Sequence, residues 1–325
     1  MADASSAPRR GPDREARQAR PRNITAWSPF ENESSTIEST TRWSVPPRTR
    51  RAAGAAVPGG ARGGAQYDSG VTTDDARTVR VRLVDAANRL GERALRWTDR
   101  YFGRHSLVGD RTFFDPDDFP WVAAMEAGFP KIRAELDEVL RYQADLPNFQ
   151  DISTDQYALT DDDRWKTYFF YGYGFTAGKN VERCPETARL LRQIPGMTTA
   201  MFSILAPHKK IPPHGGPYKG VLRYHLGLLV PEPASACGIR VGGDVRHWSE
   251  GKSLVFDDTY EHEAWNDTDS TRVVLFVDVK RPLAGPARWL NEAVLKLIGF
   301  SPFIQDAKAR HNAWERRFET MRGAA

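Results

Sequence analysis

Residues 212–228 read PPHGGPYKGVLRYHLGL, and the second half of that stretch decides the fold. From Val221 the chain runs VLRYHLGLLV (221–230), a short aromatic and branched segment closed by Pro231. Within it Arg223 and His225 stand two positions apart, so on an extended backbone they share one face. That is a strand signal. Four more runs of the same kind surround it: TAMFSILA (199–206), CGIRVGG (237–243), KSLVFDD (252–258) and RVVLFVDVK (272–280). Gly, Pro, Asn and Asp punctuate them. Five short strands at such spacing predict a compact antiparallel barrel or sandwich, with helices packed outside it.

The helices come before and after. ARTVRVRLVDAANRLGERALRWTDRYF (76–102) places apolar side chains at helix-compatible intervals. WVAAMEAGFPKIRAELDEVLRYQ (121–143) puts Ile132, Leu136, Val139 and Leu140 on one face, with Pro130 expected to turn or kink it. CPETARLLRQI (184–194) carries Pro185 where a first helical turn accepts it, and Leu190, Leu191 and Ile194 face inward. PARWLNEAVLKLIGF (286–300) and IQDAKARHNAWERRFETMR (304–322) return to helical spacing at the end. The expected organisation is a disordered basic tail over 1–75, a domain with a helical lead over 76–285, and a helical extension over 286–325.

The 325-residue chain has a net charge of +4, but the charge is unevenly placed. Residues 1–64 hold 11 arginines, no lysine and 6 acidic residues, so the remainder is nearly neutral. A basic groove for nucleic acid is not indicated. The tail is too rich in Arg, Ala, Ser, Pro and Gly to bury enough apolar area to offset its ordering entropy. Cys184 and Cys237 have neither metal-like spacing nor a disulfide framework, and a cytoplasmic setting is the easier reading. No apolar run approaches the length of a membrane span. Trp289, Leu290, Val294, Leu295, Leu297, Ile298 and Phe300, with Arg288 and Lys296 nearby, form an apolar surface. It suits packing against the domain or a second subunit, or a peripheral membrane contact.

The strands carry polar residues that a plain β core avoids. His214 precedes a strand, Arg223 and His225 share a face, Ser203 lies mid-strand, His262 follows FDDTYE at a strand end, and Arg272 opens the last strand. Non-haem iron sites usually join two histidines to one carboxylate. Here the position two after His214 is Gly216. Arginine is the side chain that fits a carboxylate with two prongs. Two separated histidines and a later arginine therefore suggest a metal with a dicarboxylate beside it. Singly, each residue also has a structural reading, as a hydrogen-bonded core histidine or a salt-bridged strand arginine.

HGGPYKGVLRYHLGLLVP, WSEGKSLVFDDTYEHEAWND and TRVVLFVDVKRP together resemble the aspartyl/asparaginyl β-hydroxylases, which are iron(II)- and 2-oxoglutarate-dependent dioxygenases. The likeness runs over roughly residues 110–283 and is densest over 199–283. It implies a mainly β chain with flanking helices around a double-stranded β-helix (jelly-roll, cupin-like) core. His214 and His262 would be the iron ligands. Arg272 and Ser203 would hold the far carboxylate of 2-oxoglutarate, His225 the carboxylate beside its keto group, and Trp165 would line the same pocket. Arg223 would meet an anionic group on the substrate. The peptide-hydroxylating branch itself has glycine at the position of Gly216, so the resemblance implies a two-histidine site. Dioxygen would be the oxidant, with succinate and CO2 released.

The substrate side departs from that branch. Peptide hydroxylases have a second arginine two residues before Arg223, where this chain has Val221. LRYHLGL, CPETARLL and RVVLFVDVKRPL also look like the lipid A and ornithine-lipid acyl hydroxylases. Those tend to have His-x-Asp where this chain has His214-Gly215-Gly216. A peptide, a lipid or a small molecule thus stays open as substrate. Two other outcomes stay open too: a halogenase, with chloride in the room left at Gly216, and a binding module that has lost turnover.

Overall fold

A computed structural model describes residues 97–323, and all of these fall within one compact unit. The tail over 1–75, the 75/76 boundary and most of the helical lead lie outside the described residues. The chain is helical over 97–105 (α1) and forms a two-residue strand, Phe113–Phe114 (β1). Helices Val122–Ala127 (α2) and Phe129–Leu140 (α3) meet at Gly128, with Pro130 in the first turn of the second. The proline therefore starts a helix instead of kinking one, because a first-turn residue needs no N–H partner. Ile132, Leu136 and Val139 are buried as their spacing predicts, whereas Leu140 is only partly covered.

Next come Phe149–Ile152 (α4), Trp165–Gly172 (β2), Phe175–Thr176 (β3), Gly178–Arg183 (α5) and Pro185–Leu191 (α6). The barrel strands follow: Met197–Leu205 (β4), Lys209–His214 (β5), Val221–Leu229 (β6), Cys237–Val241 (β7), Asp244–His247 (β8), Ser253–Phe256 (β9), His262–Asn266 (β10) and Arg272–Lys280 (β11). Gly285–Gly299 (α7) and Pro302–Gly323 (α8) close the chain.

Two antiparallel sheets result. The larger has the order β1-β9-β6-β11-β4-β2-β3, and the smaller β5-β10-β7-β8. From β4 onward the chain passes back and forth between them, apart from the β7–β8 hairpin within the small sheet, which is how a jelly roll is wound. Ile239, Val241 and Ala264 of the small sheet share one core with Val274, Phe256 and Phe276 of the large one. The outer face of the large sheet is roofed by helices, as Trp121 meets Tyr224 and Trp314 meets Tyr168. Central strand β11 is consequently buried on both faces, which explains its nearly unbroken apolar sequence. α8 adds Trp314 and Phe318 to this core. The fold is mainly β with flanking helices, as expected.

His214 does not merely precede a strand: it is the last residue of β5. Pro212 and Pro213 conceal that strand in the sequence. They are tolerated because β5 is the edge of the small sheet, where a missing N–H leaves no ladder bond unmade.

Candidate active site

Strand register does most of the assembly. His262 lies directly opposite His214 in the β10–β5 pairing, and their ring centroids are 4.1 Å apart. Each Nδ1 is bonded to the backbone carbonyl two residues earlier, His214 to Pro212 at 2.8 Å and His262 to Tyr260 at 3.0 Å. In a neutral ring this fixes the proton on Nδ1 and leaves Nε2 as the lone-pair nitrogen, the tautomer a metal takes. Burial holds both rings below the ordinary histidine pKa; Arg223 adds to this, as does His214 for His262. The pair therefore offers two neutral nitrogen donors. Among the described residues no group of three His, Cys, Asp or Glu stands close enough to hold a metal ion.

The large sheet supplies the facing wall. Residues paired directly across an antiparallel sheet share a face. Ser203 pairs with Val274 and Thr167, and His225 with Phe276. Arg272, Val274, Phe276 and Asp278 alternate along β11, so Ser203, His225, Arg272 and Trp165 belong to one inner face. Trp165 Nε1 donates to Ser203 Oγ at 3.0 Å, and both are buried. Four residues expected at a cosubstrate are thus brought together.

Arg272 is 2% exposed, yet among the described residues its Nε and Nη1 have no hydrogen-bond partner. Its guanidinium lies 4.5 Å from the Trp248 ring centroid. Desolvation pulls its pKa down to about 10, opposed only by the Cys237 thiol. Both ring nitrogens of buried His225 are likewise unpartnered, as is Trp248 Nε1, and those two rings are 6.0 Å apart. Burial first, then Arg272 and Arg223, hold His225 well below its ordinary pKa. Unsatisfied buried donors of this kind are rare in folded proteins and call for a ligand. An arginine, a histidine and an indole converging on one space suit a carboxylate. These residues fit 2-oxoglutarate, and the histidine pair fits a divalent iron.

Three residues that carry no expected role in the site from sequence alone complete the geometry; in the sequence, Asp257 and Asp258 read as caps of the loop that follows. Trp248 opens the WSEG stretch, but nothing in the linear pattern gave it a role. Asp258 fills the space beside Gly216: a Cβ built on that glycine would overlap the Asp258 carboxyl group, and Gly216 N donates to Asp258 O at 2.7 Å. The carboxylate absent from position 216 is thus matched by one from the β9–β10 connection. Burial lifts its pKa to about 6 against the pull of Arg223, and its Oδ1 has no partner. Asp278, on β11, is the third.

Asp278 and Asp258 both reach Arg223, the residue expected to meet an anionic group on the substrate. Its guanidinium bonds Asp258 at 2.9 Å and Asp278 at 3.0 Å, and lies 4.2 Å from the Phe276 ring centroid. Its Nε and Nη2 make these contacts, so two carboxylates already balance its charge. Asp257, by contrast, is structural. It accepts from the side chain of Arg281, from Lys219 Nζ at 2.9 Å and from Thr259 Oγ1 at 2.6 Å, which fixes the turn that delivers Asp258 and His262.

A profile of the aspartyl/asparaginyl β-hydroxylase family matches residues 126–282. The chain is 51% identical over 222 residues to an ornithine lipid ester-linked acyl 2-hydroxylase of Rhizobium tropici, covering 68% of this chain and 79% of that protein. It is 29% identical over 231 residues to human aspartyl/asparaginyl β-hydroxylase, covering 66% of this chain but only 30% of that protein. Among solved structures, a prolyl-4-hydroxylase from Pseudomonas putida overlaps it with a TM-score of 0.32 at 15% identity, over 47% of this chain and 87% of that one.

Proposed function

Because this chain belongs to the aspartyl/asparaginyl β-hydroxylase family and is a hydroxylase, we propose that it is iron(II)- and 2-oxoglutarate-dependent and hydroxylates the acyl chain of an amino-acid-headed lipid. The observation that carries the cofactor assignment is Arg272, a fully buried guanidinium with two unpartnered nitrogens, on the sheet that faces the His214–His262 pair. When bound, iron(II) with 2-oxoglutarate supplies the oxidising equivalent that places one atom of O2 into an aliphatic C–H and the other into succinate, with CO2 released.

The protein's own residues bind, orient and exclude water. His214 and His262 hold the metal through Nε2. Arg272 takes the far carboxylate, with Ser203 beside it, oriented by Trp165. His225 and Trp248 offer N–H donors to the remaining carboxylate oxygens. Asp258, held by Arg223, sets a negative group beside Gly216 and leaves little room for chloride there, which weighs against halogenation. Phe256, Phe276 and Trp248 keep the pocket dry.

Two observations favour an acyl lipid over an acidic peptide. Arg223 is neutralised by two carboxylates, and Val221 lies in an apolar cluster with Tyr218 and Leu295, where peptide hydroxylases have an arginine. The 51% identity to a lipid acyl hydroxylase points the same way. The test is incubation with ornithine lipid, iron(II), 2-oxoglutarate and O2, followed by mass spectrometry. A hydroxylated acyl chain in step with succinate supports the reading. Hydroxylation of an acidic peptide with no change in the lipid overturns the substrate.

A further inference from the structure

The inner and outer faces of α7 differ sharply. Ala287, Asn291 and Leu295 are buried, against Phe102, Tyr218, Val221 and Leu283. The opposite face is open: Trp289 is 67%, Leu297 71% and Phe300 80% exposed. These are three of the seven large apolar side chains that are exposed among the described residues. Trp289, Ala293, Lys296 and Phe300 recur at three- and four-residue intervals, so they form one stripe, with Leu297 along its edge. A contiguous exposed apolar stripe of this kind marks an interaction surface.

The charges on it indicate the partner. Arg288 stacks on Trp289 with its guanidinium 4.7 Å from the ring centroid, and among the described residues neither Arg288 nor Lys296 has an ion-pair partner. The acidic neighbour Glu292 is already bonded to Lys280 at 2.6 Å. A depression of about 490 Å³ opens between Arg288, Trp289, Glu292, Ala293 and Lys296. Tryptophan and phenylalanine flanked by unpaired cations suit the boundary between acyl chains and anionic head groups. The arginine-rich composition of residues 1–64 has the same sign. No helix among the described residues is long and apolar enough to cross a membrane, so such a contact lies in the interface plane.

We propose that α7 docks on an anionic lipid bilayer through Trp289, Leu297 and Phe300, with Arg288 and Lys296 at the head groups. The inference deepens the acyl-lipid reading and rests on it for its purpose. α7 is fastened to the connection that leaves His214: Tyr218 Oη donates to Asn291 Oδ1 at 2.6 Å, and Asn291 Nδ2 to Gly220 O at 2.8 Å. Seating α7 on a bilayer therefore brings the His214 side of the pocket to the surface from which an acyl chain is drawn.

Flotation of the full chain with vesicles of phosphatidylcholine, with and without phosphatidylglycerol, tests this. The wild type should float with the anionic vesicles. The triple variant W289S/L297S/F300S, changed only at exposed positions, should partition about tenfold more weakly or worse. R288E/K296E should lose the preference for anionic vesicles. Equal flotation of wild type and triple variant overturns the proposal and assigns the binding to the basic tail. Absence of wild-type flotation also overturns it, as does a change of oligomeric state in the variant with vesicle binding intact. Turnover of detergent-dispersed lipid, measured in parallel, separates the two claims: binding without hydroxylation refutes the substrate and spares the surface.

Discussion

Replacing Arg272 by methionine should move stability and cosubstrate binding in opposite directions. In the protein without cosubstrate the guanidinium is buried with two nitrogens unpartnered, and its pKa falls from 12.5 to about 10. The sign follows directly: a base whose pKa is depressed on folding is still charged at pH 7 in both states, so folding bears the full cost. That cost is about 3 kcal/mol. Methionine fills a similar volume without a charge, but forfeits about 1–2 kcal/mol of attraction to Trp248. The net expectation is a gain on the order of 1–2 kcal/mol, or a melting temperature higher by roughly 2–8 °C for a domain of this size. The wild type should in turn gain about 2.7 kcal/mol from 2-oxoglutarate at a hundred times its Kd, and the variant almost none. Thermal melts under argon, with iron(II) and with or without 2-oxoglutarate, measure both effects. A variant that is less stable than wild type, yet keeps the full 2-oxoglutarate shift, would refute the reasoning.

His262→Ala should abolish metal-dependent succinate formation while leaving a cooperative melt, checked by stoichiometric iron binding. Trp248→Phe removes one N–H and keeps the ring under Arg272; it should raise the 2-oxoglutarate requirement about tenfold, read by titration calorimetry. Gly216→Ala drives a methyl group into the Asp258 carboxyl and should lower turnover much more than stability, with Gly215→Ala, where nothing lies closer than 3.5 Å, as the near-neutral control. Acid should destabilise the metal-free protein. Burial holds His214, His225 and His262 below 6.5, and His311 at about 4. Each loses up to about 1.4 kcal/mol per pH unit as pH falls below 6.5. Asp258 and Asp99, both raised to about 6, give part of this back below pH 6. Denaturant melts from pH 7 to 5 that show rising stability would contradict the assignment.

What the sequence disclosed and what it hid have physical causes. The five strands expected from β-branched runs are all present, because buried strands need continuous apolar side chains. β5 was hidden by two prolines that only an edge tolerates, and β10 (HEAWN) because its polar residues serve the site and the edge of the core. β8 is exposed along its whole length and carries no burial signal. His214, His262 and Arg272 stood out as polar residues beside apolar strand runs, and their expected roles came from the likeness to known hydroxylases. The partners of Arg223 were not legible, since Asp258 and Asp278 lie 35 and 55 positions away and reach it only through register. The likeness to known hydroxylases supplied the cosubstrate; the geometry adds the unpartnered nitrogens of Arg272, His225 and Trp248.

The most direct test of the central claim is anaerobic titration of the purified chain with iron(II) and 2-oxoglutarate, followed by the weak visible absorption of the chelate. The account predicts a band that needs both components, saturates at one iron per chain, disappears in His214→Ala and requires far more 2-oxoglutarate in Arg272→Met. A folded wild-type protein that gives no band, or a band that survives unchanged in His214→Ala, would contradict it.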